Sequence, residues 1–479
     1  MAVTTSLGAQ AGRALSWSFA STVLNRLSTI GIGVALARIL GPDDFGTFAV
    51  AMVALLALLS FNELGVSLAI VRWPGDPRDI APTVVTISVL SSVLVFGACF
   101  LAAPAFAAAM SAPAATPVVR VLTIGVLISG LVATPVGMLQ RHFRQDRKAI
   151  ADQVSTWAGA LTSIGCALAG LGAMSLAIGQ LTGAVAGAIL FIAFEPRSLR
   201  PGFDRGHARA LLRFGLPLAG SSMIVFAASN VDRLIVGAVL GPVPLGIYVL
   251  AFNLSNWPNS IFALPVRAVA PALLARLQGD PPAMRTTFLS ALELLAAITL
   301  PVCVLLAAAS APVVGLLYGD AWTAAGPVLV WLGLLGALRI LFELCYDYFV
   351  VLADTRVVLV VQVVWLLALL PAVYLGVRGG GAAGAAAAQF VVAALVVAPV
   401  YLWELRRTGI GAGAVGARVL WPVAAAGAAA LVSVVAVRAI PADLVALPLV
   451  GVAGVAAIAL LVYRRRTALH DLRAMRVPS

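Results

Sequence analysis

Apolar runs of about 20 residues recur along almost the whole chain, each ended by a short polar connection. They predict fourteen helical spans, the first seven near 15–38, 46–70, 81–103, 117–139, 150–170, 174–194 and 214–239. The other seven fall near 246–266, 287–309, 324–346, 357–377, 381–403, 417–437 and 443–463. A hydrocarbon core about 30 Å thick needs about 20 apolar residues per helix, and backbone in lipid must bond within its own segment. The runs lack the ten-residue alternation of a transmembrane barrel. The pattern therefore predicts an all-α polytopic membrane protein with both termini on one side. The first run, Leu15 to Ala37, is too long for a signal-peptide core and carries Asn25 and Arg26 in its middle, so it is expected to be a retained span.

Composition sharpens this reading. The chain is 62% hydrophobic and 10% charged, against about half and about a quarter in a soluble domain. Of 31 basic residues, 24 fall in connections on the side of the termini and four, Arg38, Arg120, Arg378 and Arg438, on the other. The remaining three, Arg26, Arg233 and Arg339, lie inside spans. Lys and Arg near span ends stay on the cytoplasmic side, so both termini are expected there. A net charge of +12 could suit nucleic acid, but charge spread over short loops along one leaflet matches anionic lipid headgroups instead, at about 1 kcal/mol per residue. No nucleic-acid partner is expected. Cys99, Cys166, Cys303 and Cys345 sit singly in apolar runs, and His142, His207 and His470 in polar connections. That pattern offers no disulfide framework, metal site or nucleophile with its base, so no cofactor and no enzymatic activity are expected.

One turn is written twice. RILGPDDFGTF (38–48) and AVLGPVPLGIY (238–248) share Leu-Gly-Pro, three unlike residues, then Gly and an aromatic. Gly41 and Gly241 can adopt the left-handed conformation that ends a helix, Pro42 and Pro242 cannot continue it, and Gly46 and Gly246 complete each copy. The copies join spans one to two and seven to eight, a period of six helices. The expectation is an amino-terminal six-helix lobe (1–200), a second six-helix lobe (201–404), and two further spans with a basic tail (405–479). The basic stretch Glu195 to Arg213 would join the lobes. Transporters are commonly built from such related halves, with the substrate path between them.

LARILGPDDFGTFAVAMVALLALLSFNELGVSLAIVRW (36–73) resembles the amino-terminal signature of bacterial polysaccharide flippases of the Wzx and colanic-acid exporter type, within the multidrug/oligosaccharidyl-lipid/polysaccharide superfamily. SNVDRLIVGAVLGPVPLGIYVLAFNLSNWPNSIFALPVRAVAPALLARLQGD (229–280) resembles the second lobe of the same family. The likeness spans most of 10–360 and weakens in the Ala-rich remainder. It implies two six-helix bundles around a central cavity, alternating access, and location in the bacterial cytoplasmic membrane. It also implies a substrate of isoprenoid diphosphate carrying an oligosaccharide unit, flipped from the inner to the outer leaflet. Membrane lipids, a proton or sodium ion and polysaccharide polymerase machinery are the other partners to be weighed. Two rivals stand beside it: a cation-coupled multidrug antiporter of the same superfamily, and a membrane glycosyltransferase or polymerase, which would need a larger outer loop than any present.

Ionisable groups at membrane depth cost about 2.5–3.5 kcal/mol on insertion scales and so mark pathways or pairs. Arg26, Arg233 and Arg339 are the candidates for the diphosphate, because guanidinium forks match phosphate oxygens and stay charged. Interhelical pairing is the alternative: Glu63 reaches the depth of Arg26, and Glu343 stands one helical turn from Arg339. Glu63, Asp232, Glu293 and Glu343 are candidates for a coupling-ion site or an ion pair. Asn25, and Asn253 with Asn256 three residues apart ahead of Pro258, suit sugar hydroxyls or a helix bend. Asp43 and Asp44 in the first outer turn are expected to serve a helix start.

Overall fold

The computed structural model describes residues 4–62, 70–71, 73–142, 144–263, 270–271, 273–439 and scattered positions from 451 to 459, with side chains described from residue 29 onward except at 60–62, 214, 218, 221, 224, 228, 262–263 and 437–439. Among these, the regular elements are helices. In chain order they are α1 (Thr4–Asn62), α2 (Pro77–Ala109), α3 (Thr116–Arg141), α4 (Gln145–Leu168), α5 (Ala173–Phe194), α6 (Arg205–Leu240) and α7 (Pro242–Ser255). There follow α8 (Pro281–Ala308), α9 (Ser310–Tyr318), α10 (Ala325–Val351), α11 (Thr355–Val392), α12 (Ala398–Arg407) and α13 (Ala412–Ala439).

Eight stretches among the described residues are long and apolar enough to cross a membrane, and the chain is a multi-pass membrane protein. Two of the eight each cover two of the spans read from the sequence, because a glycine break interrupts them. In α1 the break is Gly41 (φ 73°, ψ 176°); in α11 it is Gly380 and Gly381, the latter at φ 59° and ψ −142°. The α11 arms fold back closely enough that the Gly376 and Gly384 backbones touch, and a Cβ on either would collide with the other. Helix α4 falls outside the eight because its first turns, QDRKAIADQ, are polar. The run at 443–463 lies mostly outside the described residues.

Turn chemistry differs between the two ends of the helices. Where the charge pattern places the cytoplasm, helices start on aspartate: Asp76 accepts from the Arg78 amide at 2.9 Å, Asp204 from His207 at 2.8 Å, Asp280 from Ala283 at 3.1 Å and Asp354 from Val357 at 3.3 Å. Each satisfies a donor that the first helical turn leaves open. The His207 amide also holds the Asp204 carboxyl below its ordinary range. At the opposite end the chain reverses on glycine with positive φ, at Gly41, Gly170, Gly172, Gly241, Gly319 and Gly381, with Gly409 the one positive-φ glycine at the aspartate-capped end among the described residues.

The chain forms two compact units, Met1–Gly246 and Ile247–Ser479. In the first, α4 and α5 pack through small residues. A Cβ on Gly183 would lie 2.6 Å from the Ser155 carbonyl and one on Gly159 would lie 2.9 Å from the Gly179 carbonyl, while the Ser155 hydroxyl donates to the Gly183 carbonyl at 2.8 Å. With lipid as apolar as leucine, such close backbone approach is what holds membrane helices together. Helix α6 packs on α1 and α2 in this same unit. In the second unit, α8 packs on α10 and α13, the rings of Phe342 and Tyr401 stack at 5.3 Å, and Trp365 meets Phe342 edge-on at 6.0 Å.

Candidate functional site

The two copies of the Leu-Gly-Pro turn meet in the first unit. Gly41 (φ 73°, ψ 176°) and Gly241 (φ 85°, ψ −169°) share a conformation open essentially to glycine alone. The last glycines of the copies face each other: a Cβ on Gly246 would lie 2.7 Å from the Gly46 Cα, and one on Gly46 would strike the Pro242 carbonyl. The repeated spacing thus brings two backbones into direct contact. Asp44 reaches elsewhere, its carboxylate accepting from the Ala173 amide at 3.1 Å, so it serves the start of α5 rather than of its own helix.

Polar residues gather in the second unit, where α7 loosens. Pro258 supplies no amide proton, and beyond it the chain widens into a π turn at Asn259–Ala263. The Asn256 amide is shared between the carbonyls of Phe252 at 3.1 Å and Asn253 at 3.2 Å. The Asn259 side-chain amide donates to Glu343 at 3.5 Å and to the side-chain oxygen of Asn256 at 3.4 Å. On α10, the half-buried Arg339 holds its guanidinium over the Phe252 ring at 5.5 Å. Phe252, Asn256, Asn259 and Arg339 border a cavity of about 10 Å³. That is room for about one water, far too little for a diphosphate in this conformation.

The other residues singled out in the sequence are dispersed. In the first unit, Arg233 on α6 donates to Asn230 at 2.5 Å, Asn230 donates to the Phe226 carbonyl at 3.0 Å, and Asp232 is buried at 4% exposure. Glu293 on α8 is engaged by Arg418 of α13 at 2.7 Å. Asn253 is exposed. Asn25 and Arg26 fall on α1 with side chains outside the described residues, and Glu63 is outside them altogether. Among the described residues there is no grouping of histidine, cysteine and carboxylate that could hold a metal ion. Two participants were not singled out by sequence: Asn259, although it extends the three-residue spacing of Asn253 and Asn256, and Arg418, which reads as an ordinary basic residue at a span end.

Residues 35–327 match the polysaccharide biosynthesis protein family. The chain is 25% identical to the lipopolysaccharide biosynthesis protein WzxC of Escherichia coli K12 over 330 residues, 67% of this chain and 66% of WzxC. It is 25% identical to the succinoglycan biosynthesis transport protein ExoT of Rhizobium meliloti, over 67% of this chain and 65% of ExoT. The matches thus cover slightly less than two-thirds of either relative. The fold superposes on the lipid II flippase MurJ in its inward closed conformation with a TM-score of 0.76, covering 94% of this chain and 98% of MurJ at 13% identity. With its match running from the first glycine turn into α10, this chain belongs to the polysaccharide biosynthesis protein family.

Proposed function

We propose that the protein is a flippase that carries isoprenoid-diphosphate-linked oligosaccharide from the inner to the outer leaflet of the bacterial cytoplasmic membrane, by alternating access and with both termini cytoplasmic. The observation that carries the reading is the polar cluster of Asn256, Asn259, Arg339 and Glu343 between apolar helices. A permanently charged guanidinium at that depth costs free energy, which a passing anion repays. Family membership and the named roles of WzxC and ExoT agree with it.

In this reading, Arg339 takes one phosphate oxygen pair as a fork, the asparagine amides hold sugar hydroxyls or the second phosphate, and the cluster widens in another conformation to admit them. Arg233 and Arg26 supply the same attraction elsewhere along the path. Glu63, Asp232, Glu293 and Glu343 are the candidates for a coupled proton or sodium ion, Glu293 by way of its pair with Arg418.

Reconstituted vesicles loaded with fluorescent isoprenoid-diphosphate oligosaccharide, probed by an impermeant glycosidase outside, test this. Wild-type protein should expose substrate well above empty vesicles, and Arg339→Ala should cut the rate at least tenfold at unchanged membrane abundance. Normal rates in both Arg339→Ala and Arg233→Ala would overturn the phosphate-attracting role. Absent translocation together with ion-driven dye export would make the protein an antiporter.

A further inference from the structure

A second basic site lies in the first unit, lined by none of the residues assigned above to the transport path. A cavity of about 860 Å³ opens where α2 begins, α3 and α5 end and α4 begins. Arg78, Arg144, Arg197 and Arg200 line it, together with His142 and Glu195. Four guanidiniums therefore face one carboxylate, and that carboxylate stands 3.9 Å from the His142 imidazole. Among the described residues none of the four arginines forms an ion pair. Ala81, Pro82, Met138 and Phe194 give the cavity an apolar wall.

Its rim is fixed in place. The segment carrying Arg197 and Arg200 is pinned to α2 just beyond them: the Gly202 amide donates to the Pro82 carbonyl at 3.2 Å, the Thr86 hydroxyl to the Gly202 carbonyl at 2.7 Å, and the Asp204 amide to the Thr83 hydroxyl at 3.1 Å. Arg141 ties the end of α3 to the Val71 carbonyl at 2.6 Å. The volume is that of a small-molecule site, not of a single ion.

We propose that this cavity binds a phosphate ester at the cytoplasmic face, the apolar wall favouring the headgroup and glycerol of an anionic phospholipid over a water-soluble phosphate. Guanidinium forks would take the phosphate oxygens, while Met138, Pro82 and Phe194 cover the first carbons of the lipid. This site is separate from the path proposed for the transported diphosphate, so its failure leaves that reading standing.

The test uses purified full-length protein in detergent. Native mass spectrometry would follow retention of phosphatidylglycerol, with phosphatidylcholine as the neutral lipid, and calorimetry would follow inorganic pyrophosphate as the soluble probe. Phosphatidylglycerol should be retained selectively. The double variant Arg197→Gln/Arg200→Gln should weaken retention at least tenfold without moving the unfolding temperature, and Arg205→Gln/Arg209→Gln, outside the cavity, should leave it unchanged. Pyrophosphate binding lost in the first double variant, without lipid selectivity, would support the site and assign it to a soluble ligand. Equal losses in both double variants, or no binding of either probe, would overturn it.

Discussion

Gly46 and Gly246 show how much a missing side chain can carry. Each occupies a place where a Cβ would meet the other copy's backbone, whereas Gly97 of α2 has nothing within 4 Å. Gly46→Leu and Gly246→Leu should therefore each lose about 1–3 kcal/mol by overpacking, read as a lower unfolding temperature in detergent, with Gly97→Leu close to wild type. If all three behave alike, the contact between the turns is not structural. Arginines differ in the opposite sense: sequence singled out Arg339 by depth alone, and its neighbours are what make it a candidate. The three-residue asparagine spacing was readable as far as Asn256; Asn259 became significant only when the π turn set it beside Glu343.

At the scale of elements, the Glu293–Arg418 pair is the clearest long-range link. It joins α8 to α13 across 125 residues. Glu293 has 9% side-chain exposure and Arg418 31%, so removing the arginine takes a charged partner away from a nearly buried carboxylate. Loss of one partner of a buried pair costs about 3–5 kcal/mol, while replacing both by apolar groups can be neutral. Arg418→Met should accordingly destabilise the protein strongly in thermal unfolding, and Glu293→Met/Arg418→Met should recover most of the loss. A double variant as unstable as the single one would show that the pair is not what holds α13 to α8. The last part of the chain looked detachable in sequence because its Ala-rich runs carry no repeat; packing on α8 gives it a place.

For the whole molecule, orientation is the property most open to a direct check. The fourteen-span reading puts twenty-four basic residues on one side against four on the other, and on that reading the aspartate-capped turns are expected in the cytoplasm. With the four native cysteines replaced, a cysteine at Gly279 should resist an impermeant maleimide added to intact cells, and one at Asp320 should react. Labelling in the reverse sense would invert the topology and the proposed direction of transport. The partition into units also depends on what is counted. The repeat groups helices by order and turn, beginning a second lobe near residue 201, whereas contacts draw α6 to α1 and α2 and set the boundary after Gly246.

The sequence by itself determined that the chain is helical, where most apolar runs lie, which glycines and aspartates end or begin them, and which family it resembles. These are local properties, since a helix in lipid must satisfy its own backbone and a turn reads only its own residues. Only the tertiary structure decided that Gly46 meets Gly246, that Glu293 is claimed by Arg418, that Asn259 faces Glu343, and that four arginines from three connections border one cavity. Each of those depends on which face of a helix turns toward a neighbour many tens of residues away, and the nearly uniform apolarity of these helices leaves no periodic stripe from which that face could be read.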